Sequence, residues 1–235
     1  MLSTLINSVE IISDKYRQKI LQNISFKLNK GNIYTILGKN GSGKSTLINT
    51  ITNLLDPNIF KIDADIVFNG IKIFEINNTE LLQIRKEKIR YVFQDSVNSF
   101  NPLKKFDYYF NMLGVTNEEC EELLDYFLLP PKDKLFNMYS YEVSGGMAQR
   151  ISISFALLSK PQLLILDEPT SAIDINLSNL LCSKLREYVK DQSSSVLLIT
   201  QDLDFAKHVS DYIAYMENGT LSEFITTEEY KSNCT

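Results

Sequence analysis

Apolar positions along this chain change period in an order that predicts an α/β fold. Val9-Glu10-Ile11-Ile12-Ser13 and Ile24-Ser25-Phe26-Lys27-Leu28 alternate like strands with one buried face, and Lys30-Gly31-Asn32 follows as a turn. Ile33-Tyr34-Thr35-Ile36-Leu37 then reads as a strand, and the segment from Thr46 to Leu55 as a helix that Asp56-Pro57 stops. Asp65-Ile66-Val67-Phe68 and Ile71-Lys72-Ile73-Phe74 flank Asn69-Gly70, a strong hairpin signal. A charged helix over Thr79 to Lys88 leads into the strand Arg90-Tyr91-Val92-Phe93.

From Asp95 to about Ser144 the strand patterns vanish. Helical stretches such as Glu118 to Leu129 take over, and Pro130-Pro131 marks an internal turn. The acidic residues of that stretch read as the solvated face of its helix. This predicts a helical lobe inserted into an α/β core, with Lys160-Pro161 returning the chain to the core after one further helix. Leu163-Leu164-Ile165-Leu166 and Val196-Leu197-Leu198-Ile199 are apolar throughout, which fits a parallel sheet covered on both faces. Asn218-Gly219 predicts a last hairpin. The expected organisation is one domain over 1–235, with its core in 1–95 and 155–235 and a helical subdomain over about 96–154.

Composition narrows the class only a little. At 235 residues, 44% apolar and 23% charged, the chain can bury one large core. A net charge of −5 argues against non-specific nucleic-acid binding, which needs a basic face. Cys120, Cys182 and Cys234 are scattered without metal-type spacing, as in a cytosolic protein with reduced thiols. No apolar run approaches the roughly 20 residues needed to span a bilayer, and the start lacks the basic region and long apolar core of a signal peptide. Work at a membrane therefore implies attachment through a partner.

The most specific chemistry lies in Gly38-Lys39-Asn40-Gly41-Ser42-Gly43-Lys44-Ser45-Thr46, a phosphate-binding loop set between a strand and a helix. Its glycines let successive N–H groups face phosphate oxygens, and the positive end of the next helix adds to the attraction. Lys44 is placed to reach the β- and γ-phosphates, and the Ser45 hydroxyl to ligate Mg²⁺. The strand at Leu163 ends in Asp167 and Glu168, one suited to holding Mg²⁺ and the other to polarising the water that attacks the γ-phosphate. Read alone, two acids at a strand end would only cap the following turn. Gln94 ends another strand, where its amide can reach Mg²⁺ or that water, although a Gln there can also be a mere polar terminus. Ser144-Gly145-Gly146-Met147 opens a helix with a Ser N-cap and two glycines, a second anion cradle or simply an ordinary cap. One chain has no use for two cradles facing one nucleotide; two chains would, each offering its second cradle to the other.

With these residues in order, the chain resembles the nucleotide-binding subunit of ATP-binding cassette transporters over nearly its whole length. The resemblance implies a P-loop NTPase (RecA-like) core, an antiparallel β subdomain and an inserted α-helical subdomain. It implies adenine stacking on Tyr16, a Q-loop at Gln94, and a signature at Ser144, Gly145, Gly146 and Met147 that acts on the partner's nucleotide. Ser171-Ala172-Ile173-Asp174 resembles the D-loop. The implied cofactors are ATP and Mg²⁺, the latter held by Ser45, Gln94 and Asp167. The implied partners are a second cassette in a head-to-tail dimer, transmembrane permease subunits and, indirectly, a substrate-binding protein, with no nucleic acid. The implied place is the cytoplasmic face of the membrane, peripherally attached. Phe93 to Pro102, the Met at 147 and the lengthened stretch before Gln94 are similar to cassettes of peptide and nickel importers, which typically pair two different cassettes.

One position departs from the family. Where a switch histidine follows the strand ending Ile199-Thr200, this chain has Gln201, and its single histidine, His208, lies a helical stretch further on. Gln201 keeps a neutral donor but cannot carry charge or relay a proton as imidazole can. Two other readings stay open: a regulatory cassette that binds ATP and turns it over poorly, and a soluble cassette ATPase outside transport.

Overall fold

The computed structural model describes residues 1–13 and 16–233. An N-terminal hairpin of β1 (Leu2–Ile12) and β2 (Arg17–Leu28) precedes β3 (Ile33–Leu37) and α1 (Lys44–Ile51). Next come β4 (Phe60–Phe68), β5 (Ile71–Lys72), α2 (Asn78–Glu87) and β6 (Ile89–Val92). Three helices follow, α3 (Phe106–Asn111), α4 (Asn117–Tyr126) and α5 (Lys132–Leu135), and then α6 (Gly145–Leu158). The rest runs β7 (Leu163–Asp167), α7 (Ile175–Val189), β8 (Ser195–Thr200), α8 (Leu203–Val209), β9 (Tyr212–Glu217), β10 (Thr220–Leu221), β11 (Ile225–Thr226) and α9 (Thr227–Asn233).

Two sheets result. One has the order β2-β1-β4-β5 and is antiparallel. In the other, β9-β3-β8-β7-β6 run parallel, with β10 and β11 added antiparallel to β9. Every residue of β3, β7 and β8 is buried, and the apolar runs Leu163–Leu166 and Val196–Ile199 make up most of β7 and β8. Alternation then divides their side chains between two cores. Leu164, Leu166, Val196 and Leu198 join the helical lobe, α6 and α7 on one face. Leu163, Ile165, Leu197 and Ile199 join α1 and the antiparallel sheet on the other.

Some boundaries differ from the sequence pattern for local reasons. The helix after the phosphate loop begins at Lys44 and closes at Ile51, because Thr52 caps it and Asn53 turns left-handed (φ 53°). Leu54 and Leu55 therefore lie outside it, although the apolar spacing continues through them. The predicted strand Ile71–Phe74 shortens to Ile71–Lys72, and the helix predicted to reach Leu129 ends at Tyr126, with Leu128 left-handed (φ 51°). In the opposite direction, β1 and β2 extend well beyond the short alternating stretches that mark them. Side-chain caps set many helix starts: Asn77 and Thr116 form capping boxes with Glu80 and Glu119, and Ser144, Asp174 and Asp202 each accept one N–H.

Candidate functional site

The parallel sheet places the C-terminal ends of β3, β7 and β8 side by side, and each carries one part of the site. At the end of β3 the phosphate loop packs too tightly for any side chain at Gly38, where a Cβ would lie 2.5 Å from the Met216 carbonyl oxygen. Gly43 has φ 107°, a conformation open to glycine at little cost, and it is the residue just before α1. Lys44 is buried, and its ammonium donates to the Gly38 and Lys39 carbonyl oxygens at 2.6 and 2.9 Å. Burial pushes its pKa down, opposed by the charges of Glu168 and Asp167. Among the described residues it forms no ion pair.

Asp167 ends β7. Its Oδ2 accepts from the Tyr91 hydroxyl at 2.9 Å and, at 3.4 Å, from the Ser45 hydroxyl. Burial raises its pKa, the Tyr91 hydrogen bond opposing that effect most. Desolvation, reinforced by the Asp167 charge, likewise pushes the Tyr91 phenol upward, so that it stays a protonated donor.

Glu168 is 8% exposed and left-handed, φ 47°, a conformation that costs a non-glycine residue about 1–2 kcal/mol. What holds it there is visible. Its N–H donates to the Ile199 carbonyl at 2.8 Å, and its carbonyl accepts from the Gln149 amide at 3.4 Å. Its carboxylate accepts from the Thr200 hydroxyl at 3.0 Å, the Gln201 N–H at 3.2 Å and the Gln201 side-chain amide at 3.4 Å. The same Gln201 nitrogen donates to Asn40 Oδ1 at 2.8 Å.

Polyphosphate fits this surroundings on two observations. The Ser42 hydroxyl inside the loop is buried without a hydrogen-bond partner, and a buried polar group of that kind calls for one. Among the described residues the Lys44 charge is met by two carbonyls and by the Asp167 and Glu168 carboxylates outside ion-pair distance. A single carboxylate with a neighbouring hydroxyl also suits Mg²⁺, which keeps waters and phosphate oxygens among its ligands. Among the described residues no cluster of three or more His, Cys, Asp or Glu offers a dedicated metal cage.

The structure thus brings together Asn40, Lys44, Ser45, Asp167, Glu168 and Gln201. Thr46 continues α1, its carbonyl accepting from Thr50. Gln94 is exposed just beyond β6, and Tyr16 is 57% exposed between β1 and β2, its N–H donating to Ser13 Oγ. Neither belongs to the hydrogen-bonded set. Ser144 caps α6 by accepting from the Met147 N–H at 3.3 Å; Gly145 faces open space, whereas a Cβ at Gly146 would lie 2.5 Å from the Ala172 carbonyl oxygen. Asp174 caps α7 by accepting from the Leu177 N–H at 3.0 Å. His208 is exposed and bonds the carbonyl of Asp204 in its own helix.

Sequence reasoning missed Tyr91, Thr200 and Gln149. Period-2 counting along β6 had the means to find Tyr91, whose ring lies 4.1 Å from that of Phe93 two residues on. Nothing local marks Thr200 or Gln149.

Comparison with known proteins gives the family. A protein-family model described as ABC transporter matches residues 21–171. The oligopeptide transport ATP-binding protein OppD of Haemophilus influenzae is 33% identical over 218 residues, covering 89% of this chain and 67% of that protein. The oligopeptide transport ATP-binding protein AmiE of Streptococcus pneumoniae is 32% identical over 232 residues, covering 93% and 65%. The chain spans about two thirds of the length of these relatives. Among solved structures, a dimeric bacterial ABC transporter cassette matches with a TM-score of 0.82 at 25% identity, over 97% of this chain and 99% of that one. An ATP-binding cassette dimer in a post-hydrolysis state bound to ADP and Pi shares the fold, with a TM-score of 0.83 at 24% identity over the same shares. No helix among the described residues is long and apolar enough to cross a membrane. Fold, phosphate loop and family model converge: the chain belongs to the ABC transporter family as an ATP-binding cassette.

Proposed function

We propose that this chain binds and hydrolyses ATP to energise a membrane importer of peptides or of nickel and other metal chelates. The observation that carries the reading is the convergence of Lys44, Asp167, Glu168 and Gln201 on one phosphate loop. Lys44 and the loop N–H groups hold the β- and γ-phosphates, while Tyr16 stacks on the adenine. Ser45, Asp167 and Gln94 are the residues to hold Mg²⁺, which when bound neutralises charge on the phosphate oxygens. Glu168 orients the attacking water and accepts its proton, and Gln201 donates to the oxygen where charge gathers.

Its partner is a second cassette, a sister chain of different sequence, whose nucleotide meets this chain's Ser144 to Met147 cradle. Asp174 lies at the facing surface. Membrane subunits dock beside Gln94, where a groove of ≈ 370 Å³ is lined by Phe93, Tyr108, Met112 and Phe155. Exposed Phe93 and Met112, at 44% and 60%, give it an apolar rim. A substrate-binding protein selects the cargo, and the cassette works at the cytoplasmic face.

Co-purification with a sister cassette and two permease subunits, followed by reconstitution in proteoliposomes, tests this. Mg²⁺-dependent ATP hydrolysis stimulated by a peptide-loaded or nickel-loaded binding protein is the expected result. Normal ATP hydrolysis by a chain that recruits no membrane subunit would instead favour a soluble cassette ATPase.

A further inference from the structure

Two hydroxyls converge on one oxygen of Asp167. Ser45 is part of the phosphate loop, but Tyr91 comes from β6, outside every nucleotide motif, and makes the shorter bond at 2.9 Å against 3.4 Å. Its ring is itself fixed: Phe93 packs against it at 4.1 Å, and register with β7 sets Tyr91 opposite Ile165, two residues before Asp167. A carboxylate free to turn about its last bond offers a cation either oxygen, whereas one anchored by a partly buried donor offers a single arrangement. Partners one step removed from a metal typically change its affinity 10–100-fold when lost.

We propose that Tyr91 is a positioning residue, whose hydroxyl locks the Asp167 carboxylate in the orientation that holds a divalent cation beside the phosphate loop. This rests on the reading of Asp167 as a metal-holding group. Tyr91 touches neither nucleotide nor cation and acts through Asp167 alone. Its loss should therefore show in the metal-dependent part of nucleotide binding and nowhere else.

The test uses the full chain and a non-hydrolysable ATP analogue, titrated once in EDTA and once in Mn²⁺, with the electron paramagnetic resonance spectrum of bound Mn²⁺ as a second signal. Tyr91→Phe removes one oxygen and keeps the ring. Its affinity in EDTA should match the unmodified chain, its gain on adding Mn²⁺ should fall about tenfold, and its Mn²⁺ spectrum should change. Asp167→Asn should lose most of that gain. If Asp167→Asn loses the gain and Tyr91→Phe keeps it, the role given to Tyr91 is overturned while Asp167 retains its own. If Asp167→Asn also keeps the gain, the reading of Asp167 falls and takes this proposal with it. A drop in EDTA affinity for Tyr91→Phe would mark general distortion of the loop and overturn the positioning role.

Discussion

The Gln201 side-chain amide donates to Asn40 Oδ1 at 2.8 Å and lies 3.4 Å from Glu168 Oε1, so one side chain spans the phosphate loop and the candidate catalytic acid. An amide supplies both hydrogen bonds from its two N–H groups but carries no charge. Losing a preorganised donor from such a site costs about 10²–10³ in rate. Gln keeps a neutral donor group, so its deficit against histidine should be smaller. Gln201→His should raise single-turnover hydrolysis at this chain's own site with little change in ATP affinity, measured in the assembled complex with the sister's catalytic Glu disabled. An unchanged or lower rate would show that Gln201 serves adequately and end the impaired-site reading.

Lys44→Ala should abolish tight MgATP binding. The buried ammonium already sits on two loop carbonyls, poised for exchange to phosphate oxygens, and no other motif supplies a cation there. Isothermal titration of the purified chain is the check. Unchanged affinity would remove the basis for placing nucleotide at this loop.

Glu168→Gln should bind ATP yet fail to hydrolyse it, and closed cassette pairs should accumulate in MgATP. The substitution keeps size and most hydrogen-bonding geometry but removes a negative charge facing the phosphates. Size-exclusion chromatography with ATP and the sister chain should show a dimer. Persistent monomer under those conditions would count against face-to-face closure.

Neighbouring glycines should respond in opposite ways. Gly145→Ala places its methyl in open space at the first turn of α6 and should leave thermal stability unchanged or slightly higher. Gly146→Ala drives a methyl to 2.5 Å from the Ala172 carbonyl, and such overpacking costs typically about 1–3 kcal/mol. Thermal unfolding of the two variants decides it, since equal melting temperatures would contradict the contact.

The parallel sheet was legible because Leu163–Leu166 in β7 and Val196–Ile199 in β8 are buried on both faces and carry no polar residue. The phosphate loop was legible because its chemistry is local, nine consecutive residues with strand and helix on either side. What escaped was non-local or unaccented. The α7 segment is not assigned from the sequence although Ser178, Leu181, Leu185 and Val189 bury one stripe, because polar residues fill the positions between them and mute the pattern. Strand β9 was foreshadowed by the Asn218-Gly219 hairpin, which its pairing with β10 bears out, but the approach of its Met216 carbonyl to Gly38 is non-local. Thr200 and Gln149 acquire meaning only when β8 and α6 bring them to Glu168, which sequence separation conceals.

The Gln149 bond to the Glu168 carbonyl joins α6 to the strained residue just after β7. Gln149 rides on α6, whose first turn is the cradle proposed to face the sister's nucleotide. A shift of that helix on arrival of the sister's ATP would reach this chain's own acid through that one hydrogen bond. In a pair of unlike chains the two sites would then not fire independently: occupancy of one would set the tempo of the other. A slow Gln201 site would act as the pacemaker of the pair, delaying reopening without idling its neighbour.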